Sequence, residues 1–214
     1  MMSMRIKGLI FDLDGVLVDT VPAHFAAWKR MFEGHGYKFG NAEYRDLVDG
    51  RLRYDGARAV MLRHSDSDVR RAADMKNDYY VDMIDRGQFQ VFGEAVDFVR
   101  QCQAQGLGLA VASSSTNVRA VLEKAGLLDA FQVVIGGDEI AKGKPSPEIF
   151  LLAAEGLGLA VQECIIIEDS ASGVQAAKAG GFYCVGLVHD DRSGELPGAD
   201  RTVSSLSELD LCLL

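Results

Sequence analysis

Five short apolar runs punctuate the chain: Ile6 to Phe11, Leu107 to Ala112, Val133 to Ile135, Cys164 to Ile167 and Tyr183 to Leu187. Each is partly β-branched and gives way to polar residues or glycine, the pattern of a strand buried on both faces. Helical patterns separate them, over Glu94 to Gln105, Val118 to Ala125, Pro147 to Leu157 and Ala171 to Ala179, several closed by a glycine at Gly106, Gly126 or Gly180. Strand and helix alternate, so an α/β fold is expected: a Rossmann-like core with a parallel sheet flanked by helices.

Between Thr20 and about Val91 the rhythm changes, with helical patterns and almost no strand-like run. Pro22 to Glu33 carries Phe25, Trp28, Met31 and Phe32 as apolar positions, and Pro22 suits a first helical turn. Further helices are predicted over Asp55 to Arg63 and Asp66 to Asp85. The expected organisation is a core of residues 1–19 and 91–214 with a small helical cap domain, residues 20–90, inserted after the first strand. Such an insertion sits over the carboxyl ends of the strands, where open α/β sheets bind ligands.

Composition narrows the partners. With 48% hydrophobic residues in 214, the chain has material for a substantial core. Its 22 Lys and Arg against 31 Asp and Glu give a formal charge of −9 and no basic run, so no nucleic-acid partner is expected. No apolar run approaches the roughly 20 residues of a membrane helix, and the start of the chain lacks a signal-like pattern, so a cytoplasmic protein with no membrane partner is expected, acting as a monomer. Cys102, Cys164, Cys184 and Cys212 form no C-x-x-C pair and are read as reduced, structural residues.

The candidate chemistry lies where predicted strands end. Phe11-Asp12-Leu13-Asp14-Gly15 puts two carboxylates on a loop at the sheet edge, with Gly15 permitting a tight turn. Close acids repel, and a hard cation with oxygen ligands relieves that; Mg²⁺ typically uses one or two carboxylates plus substrate phosphate and water. A capped turn is the plainer account of an isolated D-x-D. Ile165-Ile166-Ile167-Glu168-Asp169-Ser170 is a second strand ending in paired acids, which a parallel sheet can bring beside the first pair. Ser113-Ser114-Ser115-Thr116-Asn117 follows another strand and precedes a helix, where hydroxyls and backbone N–H groups receive anions. Gly143-Lys144-Pro145-Ser146-Pro147 holds a lysine in a stiff loop just before a helix.

These four segments, in this order, resemble the four motifs of the haloacid dehalogenase superfamily of phosphotransferases, and the resemblance spans nearly the whole chain. It implies that Asp12 is the nucleophile, forming an aspartyl phosphate, and Asp14 the general acid and base. It implies Ser113 and Lys144 on the transferring phosphoryl group. It also implies Mg²⁺ held by Asp12, the Asp14 carbonyl and Asp169, with Glu168 in the same shell or one water away.

The insertion is similar to the cap of the β-phosphoglucomutase branch. There His24 and Trp28, at i and i+4 on one helical face, would meet the active site, and Gly50 and Arg53 of Val48-Asp49-Gly50-Arg51-Leu52-Arg53 would grip the sugar phosphate. Lys76 would reach into the closed site, and Ser115 and Asn117 would meet the distal phosphate. Arg51 and Leu52 depart from the commoner small or hydroxyl residues, and Thr116 stands where a lysine is often found; Arg51 is a candidate to compensate. The resemblance implies interconversion of β-D-glucose 1-phosphate and glucose 6-phosphate through a sugar bisphosphate. The alternative is a sugar-phosphate phosphatase with water as acceptor, and a non-catalytic binding module is disfavoured because all the chemical positions are present.

Overall fold

The computed structural model describes residues 6–189 and 196–209. In chain order its strands are β1 (Gly8–Phe11), β2 (Val18–Asp19), β3 (Gln90–Val91), β4 (Gly108–Ala112), β5 (Val133–Ile135), β6 (Cys164–Glu168), β7 (Tyr183–Leu187) and β8 (Arg201–Val203). The helices are α1 (Val21–Gly34), α2 (Asn41–Glu43), α3 (Arg53–Val60), α4 (Asp66–Asp85), α5 (Gly93–Ala104), α6 (Val118–Lys124), α7 (Glu148–Leu157) and α8 (Ala171–Ala179). Strands β5-β4-β1-β6-β7-β8 form one parallel sheet, the Rossmann-like α/β core that the alternation predicts.

The apolar runs are continuous because both sheet faces are covered. Leu9 and Phe11 of β1 enter one buried cluster with Phe98 and Val111, while Ile10 enters the opposite cluster with Ile149 and Ile166. Strand β1 lies between β4 and β6, so the chain order reverses there, and the loops after these three strands meet at one crevice.

Between the short antiparallel strands β2 and β3 the regular elements are all helices. It has its own buried cluster, with Trp28 stacked on Phe32 at 5.3 Å and packed with Met31, Phe39 and Met61. Helix α4 has the predicted bounds because Ser65 caps it, accepting from the Asp68 N–H at 3.2 Å. Helix α3 runs Arg53–Val60 rather than Asp55 to Arg63. Arg58 turns to the carbonyls of Met61 and His64, at 3.3 and 2.9 Å, and ends the helix early. Gly180 closes α8 as expected, with right-handed φ −82°, and Gly181 (φ +80°) makes the left-handed turn after it. Gly180 also serves packing, since a Cβ there would stand 2.8 Å from Phe182.

The helical segment is seated on the core. Ser114 Oγ donates to the Gly50 carbonyl at 2.7 Å, Ser172 Oγ to the Asp49 carbonyl at 3.1 Å, and Asn117 Nδ2 to Asn77 Oδ1 at 2.9 Å. Leu52, unusual by resemblance, sits against Gly143 and Gly137, where side chains would collide with it. Cys102, Cys164 and Cys184 are buried free thiols, pushed up by burial to about 12, 11 and 12, which suits a structural role; Cys212 lies outside the described residues. Among the described residues no helix is long and apolar enough to cross a membrane.

Candidate active site

Asp12 leaves β1 with its N–H bonded to the Ile167 carbonyl of β6 at 2.9 Å, which fixes the first loop against the second acidic loop. Gly15 then turns with φ +82°, and a Cβ there would overlap the Asp169 carboxylate at 1.9 Å, so the two loops can approach only because residue 15 is glycine.

Lys144 comes from the loop between β5 and α7, adjoining a cis peptide to Pro145. Lys144 is 3% exposed, and its ammonium donates to Asp12 Oδ1 at 2.5 Å and to Glu168 Oε1 and lies 5.0 Å over the Phe150 ring. Burial works against this charge, but Asp12 and Glu168 more than offset it and hold the lysine firmly protonated. Glu168 is fully buried, and its other oxygen accepts from the Ser170 N–H at 2.7 Å and hydroxyl at 2.9 Å. With one oxygen on Lys144 and the other on Ser170, Glu168 holds Lys144 and does not line the cleft that Asp169 lines.

Asp14 is gripped from two sides. The Thr20 hydroxyl donates to one oxygen and Ser113 Oγ to the other at 3.2 Å. Burial favours the neutral acid here, yet His24, Thr20 and Lys76 outweigh it and lower the group to about 2. Thr20 stands at the N-cap position of α1 without capping it, because its hydroxyl is committed to Asp14. The Lys76 ammonium lies 2.7 Å from His24 Nδ1 and 4.9 Å over both Trp28 and Tyr80. With the Lys76 ammonium at Nδ1, the other ring nitrogen, Nε2, points to Asp14 at 3.4 Å. Burial and Lys76 lower the imidazole pKa, favouring the neutral ring.

Asp12 is raised to about 8, first by burial and then by Glu168 and Asp14, against the pull of Lys144. Asp169 is raised well above its ordinary value by burial, with Glu168, Asp49 and Asp12 adding to the effect. Asp49 reaches about 7 through burial and Glu168, opposed by Lys144 and a hydrogen bond from Tyr44. Ionising all three carboxyl groups would put more negative charge in the site than its lysines neutralise, which is the electrostatic demand for a hard cation. Among the described residues no three acidic, histidine or cysteine side chains form a ready-made metal cage.

One cleft gathers Asp12, Asp14, Ser113 and Asp169 with His24, Trp28, Gly50, Arg51, Arg53, Lys76, Ser115, Thr116 and Asn117. Lys144 and Glu168 stand behind its lining. Arg53 is held by Asp74 at 3.3 Å and Arg51 by the Asp46 carbonyl at 3.2 Å. The cleft also exposes Tyr44, Asp49, Asn77, Ser114 and Ser170, which sequence reasoning gave no role. Ser170 and Ser114 adjoin recognised motifs, and Asn77 adjoins Lys76, so their positions were a signal. Tyr44 had none, because it lies in a π-helical turn, Tyr44–Val48, with no sequence signature.

A haloacid dehalogenase-like hydrolase family model matches residues 6–181. A β-phosphoglucomutase from Mycobacterium bovis is 35% identical over 240 residues, covering 96% of this chain and 92% of that protein. A phosphorylated carbohydrates phosphatase from Thermotoga maritima is 33% identical over 198 residues, covering 88% of each. The crystal structure of a β-phosphoglucomutase from Clostridium difficile superposes with a TM-score of 0.87 at 28% identity, covering 96% of this chain and 93% of that one.

Proposed function

Since the chain belongs to the haloacid dehalogenase-like hydrolase family, we propose that it is a phosphoryl-transfer enzyme of the β-phosphoglucomutase kind, interconverting β-D-glucose 1-phosphate and glucose 6-phosphate through a sugar bisphosphate. The observation that carries this reading is the presence of cations on both sides of one cleft. Lys144 stands against Asp12 at one end, and Arg53, Arg51 and Lys76 line the helical side. A substrate with phosphates at both ends requires that arrangement, and residues 20–90 act as the cap that supplies its far half.

Asp12 attacks the phosphorus and becomes the aspartyl phosphate while the substrate oxygen leaves. In the return step a sugar hydroxyl attacks that phosphorus, the bond to Asp12 breaks, and Asp14 takes the hydroxyl proton. Asp14 then gives the proton to the leaving oxygen of the next transfer. Thr20 and Ser113 hold Asp14 ionised, ready to receive. Lys144 keeps Asp12 aimed and draws charge from the phosphoryl oxygens beside it. Mg²⁺ would be held by Asp12, Asp169 and the Asp14 carbonyl, where it would supply positive charge to the phosphoryl group.

Protein given β-glucose 1-phosphate, Mg²⁺ and a trace of the bisphosphate is expected to form glucose 6-phosphate with little phosphate release. Phosphate release dominating over isomerisation on this and other sugar phosphates establishes the phosphatase, the reading favoured by the Thermotoga maritima relative.

Lys76 supplies a pH signature. Burial, helped by Arg53 and opposed by Asp14, lowers its ammonium to about 7. A depressed base is charged below that value and neutral above it, so kcat/KM should fall as pH rises through about 7. His24, Asp14, Arg53 and Tyr80 are the titratable neighbours that face it. In Lys76→Arg, which stays charged, that basic limb should vanish, whereas Lys76→Met should lower kcat/KM by about 10- to 100-fold for loss of a charged hydrogen bond. An unchanged basic limb in Lys76→Arg would remove the assignment.

A further inference from the structure

A second cavity, about 590 Å³, adjoins the first on the side away from Lys76. Its mouth carries the exposed residues Asn41, Arg45 and Asp46, and it runs inward past Phe25 and Phe92 to Gly15 and Asp169. Four residues line both spaces: Tyr44, Asp49, Asp169 and Ser170. Two belong to the core and are fixed by it. The other two, Tyr44 and Asp49, belong to the helical segment.

The π-helical turn brings those two together. Its wide turn lets the Asp49 N–H donate to the Tyr44 carbonyl five residues back, at 3.0 Å, which sets the two side chains next to one another. The Tyr44 ring, 8% exposed, is steadied edge-on by Phe25 at 5.8 Å, and the half-buried Asp49 lies beside it. The pair is pressed against the core by the Ser172 hydroxyl on the Asp49 carbonyl and the Ser114 hydroxyl on the Gly50 carbonyl. The partition is thus complete only when the helical segment is seated.

We propose that Tyr44 and Asp49 form a water barrier between the side cavity and the phosphorylated Asp12, and so direct the phosphoryl group to a sugar hydroxyl rather than to water. This rests on the reading of Asp12 as a phosphorylated nucleophile. Both acceptors do the same chemistry: an oxygen bonds to phosphorus, the bond to the Asp12 carboxylate breaks, and the acceptor's proton passes to Asp14. With water the product is inorganic phosphate, and the enzyme must be rephosphorylated before the next turnover. Choice between the two depends on which oxygen reaches the phosphorus, and water held in a side cavity is the competitor. Tyr44 and Asp49 are positioning residues, which exclude rather than react.

The test follows protein-bound phosphate in the full chain with Mg²⁺ present. The enzyme is labelled from a radioactive sugar bisphosphate, separated from it, and the loss of label is timed in wild type, Tyr44→Ala, Asp49→Ala and Arg45→Ala. Opening the wall is expected to speed discharge in water by about tenfold in Tyr44→Ala and severalfold in Asp49→Ala, with the ratio of phosphate to glucose 6-phosphate rising in step. Arg45 lies at the mouth, not in the wall, and Arg45→Ala should discharge at the wild-type rate. Wild-type discharge rates in the wall variants overturn the barrier, as does equal acceleration in Arg45→Ala. Should Tyr44→Ala not fold, Asp49→Ala, at a half-buried position, decides the matter by itself. Wild-type protein that never takes up label overturns the Asp12 reading, a result distinct from failure of the barrier.

Discussion

Asp12→Asn is expected to lower turnover by about 10⁴-fold or more while leaving the protein folded. The amide has nearly the shape of the carboxylate but no anionic oxygen to attack phosphorus, so the phosphoryl intermediate cannot form. Stability should move the other way. Asp12 is raised from 3.8 to about 8, and a raised carboxyl group stabilises the folded state below its unfolded value and loses that contribution as pH rises through its folded value. At pH 8 without metal, the native protein therefore holds this carboxylate against its environment, and the neutral amide relieves that burden. Lys144 keeps Glu168 as a partner. The variant should thus unfold at or above the wild-type temperature at pH 8, and the difference should shrink towards pH 5. Thermal unfolding at both pH values, with mass spectrometry for the missing phosphoryl adduct, checks both halves; wild-type turnover in Asp12→Asn would end the nucleophile assignment.

The parallel sheet was legible because its strands are buried on both faces and so read as unbroken apolar runs between helical patterns. The same logic hides β8, whose Arg201 and Thr202 are exposed at the sheet edge with only Val203 buried, and hides β2 and β3, two residues each. The motif loops were legible because topology, not sequence distance, brings the ends of β1, β4 and β6 together. What could not be read was the direction of individual side chains. Glu168 and Asp169 look equivalent as neighbours, but Glu168 is the last residue of β6 and turns inward to Lys144, while Asp169 lies beyond the strand against Gly15. Thr20 carried no signal of its role: it stands at the N-cap position of α1, yet its hydroxyl holds Asp14. Tyr44 was invisible because a π turn changes which residues face one another, and helical spacing assumes the ordinary turn.

Lys144→Met should combine a loss of activity of about 10³-fold with a stability loss of about 3–5 kcal/mol. The lysine is buried between Asp12 and Glu168, and deleting it leaves two carboxylates at under one-tenth exposure without their shared cation. Much of the stability loss is the isolation of those charges rather than the disappearance of a favourable bond, and this makes it reversible by chemistry. Acidification should shrink the deficit, because Asp12, already raised to about 8, needs no counter-charge once protonated. Adding Glu168→Gln should do the same at pH 8, since the amide removes one of the stranded charges, and the two substitutions should be strongly non-additive. Activity should not return with stability, because neither acid nor amide restores a cation beside Asp12. Denaturant unfolding of the single and double variants at pH 5.5 and 8, alongside turnover, separates the two roles. If Lys144→Met unfolds at the wild-type midpoint at pH 8, the buried ion triad does not hold these loops together. If the double variant regains turnover as well as stability, Lys144 contributes to the chemistry only by neutralising Glu168.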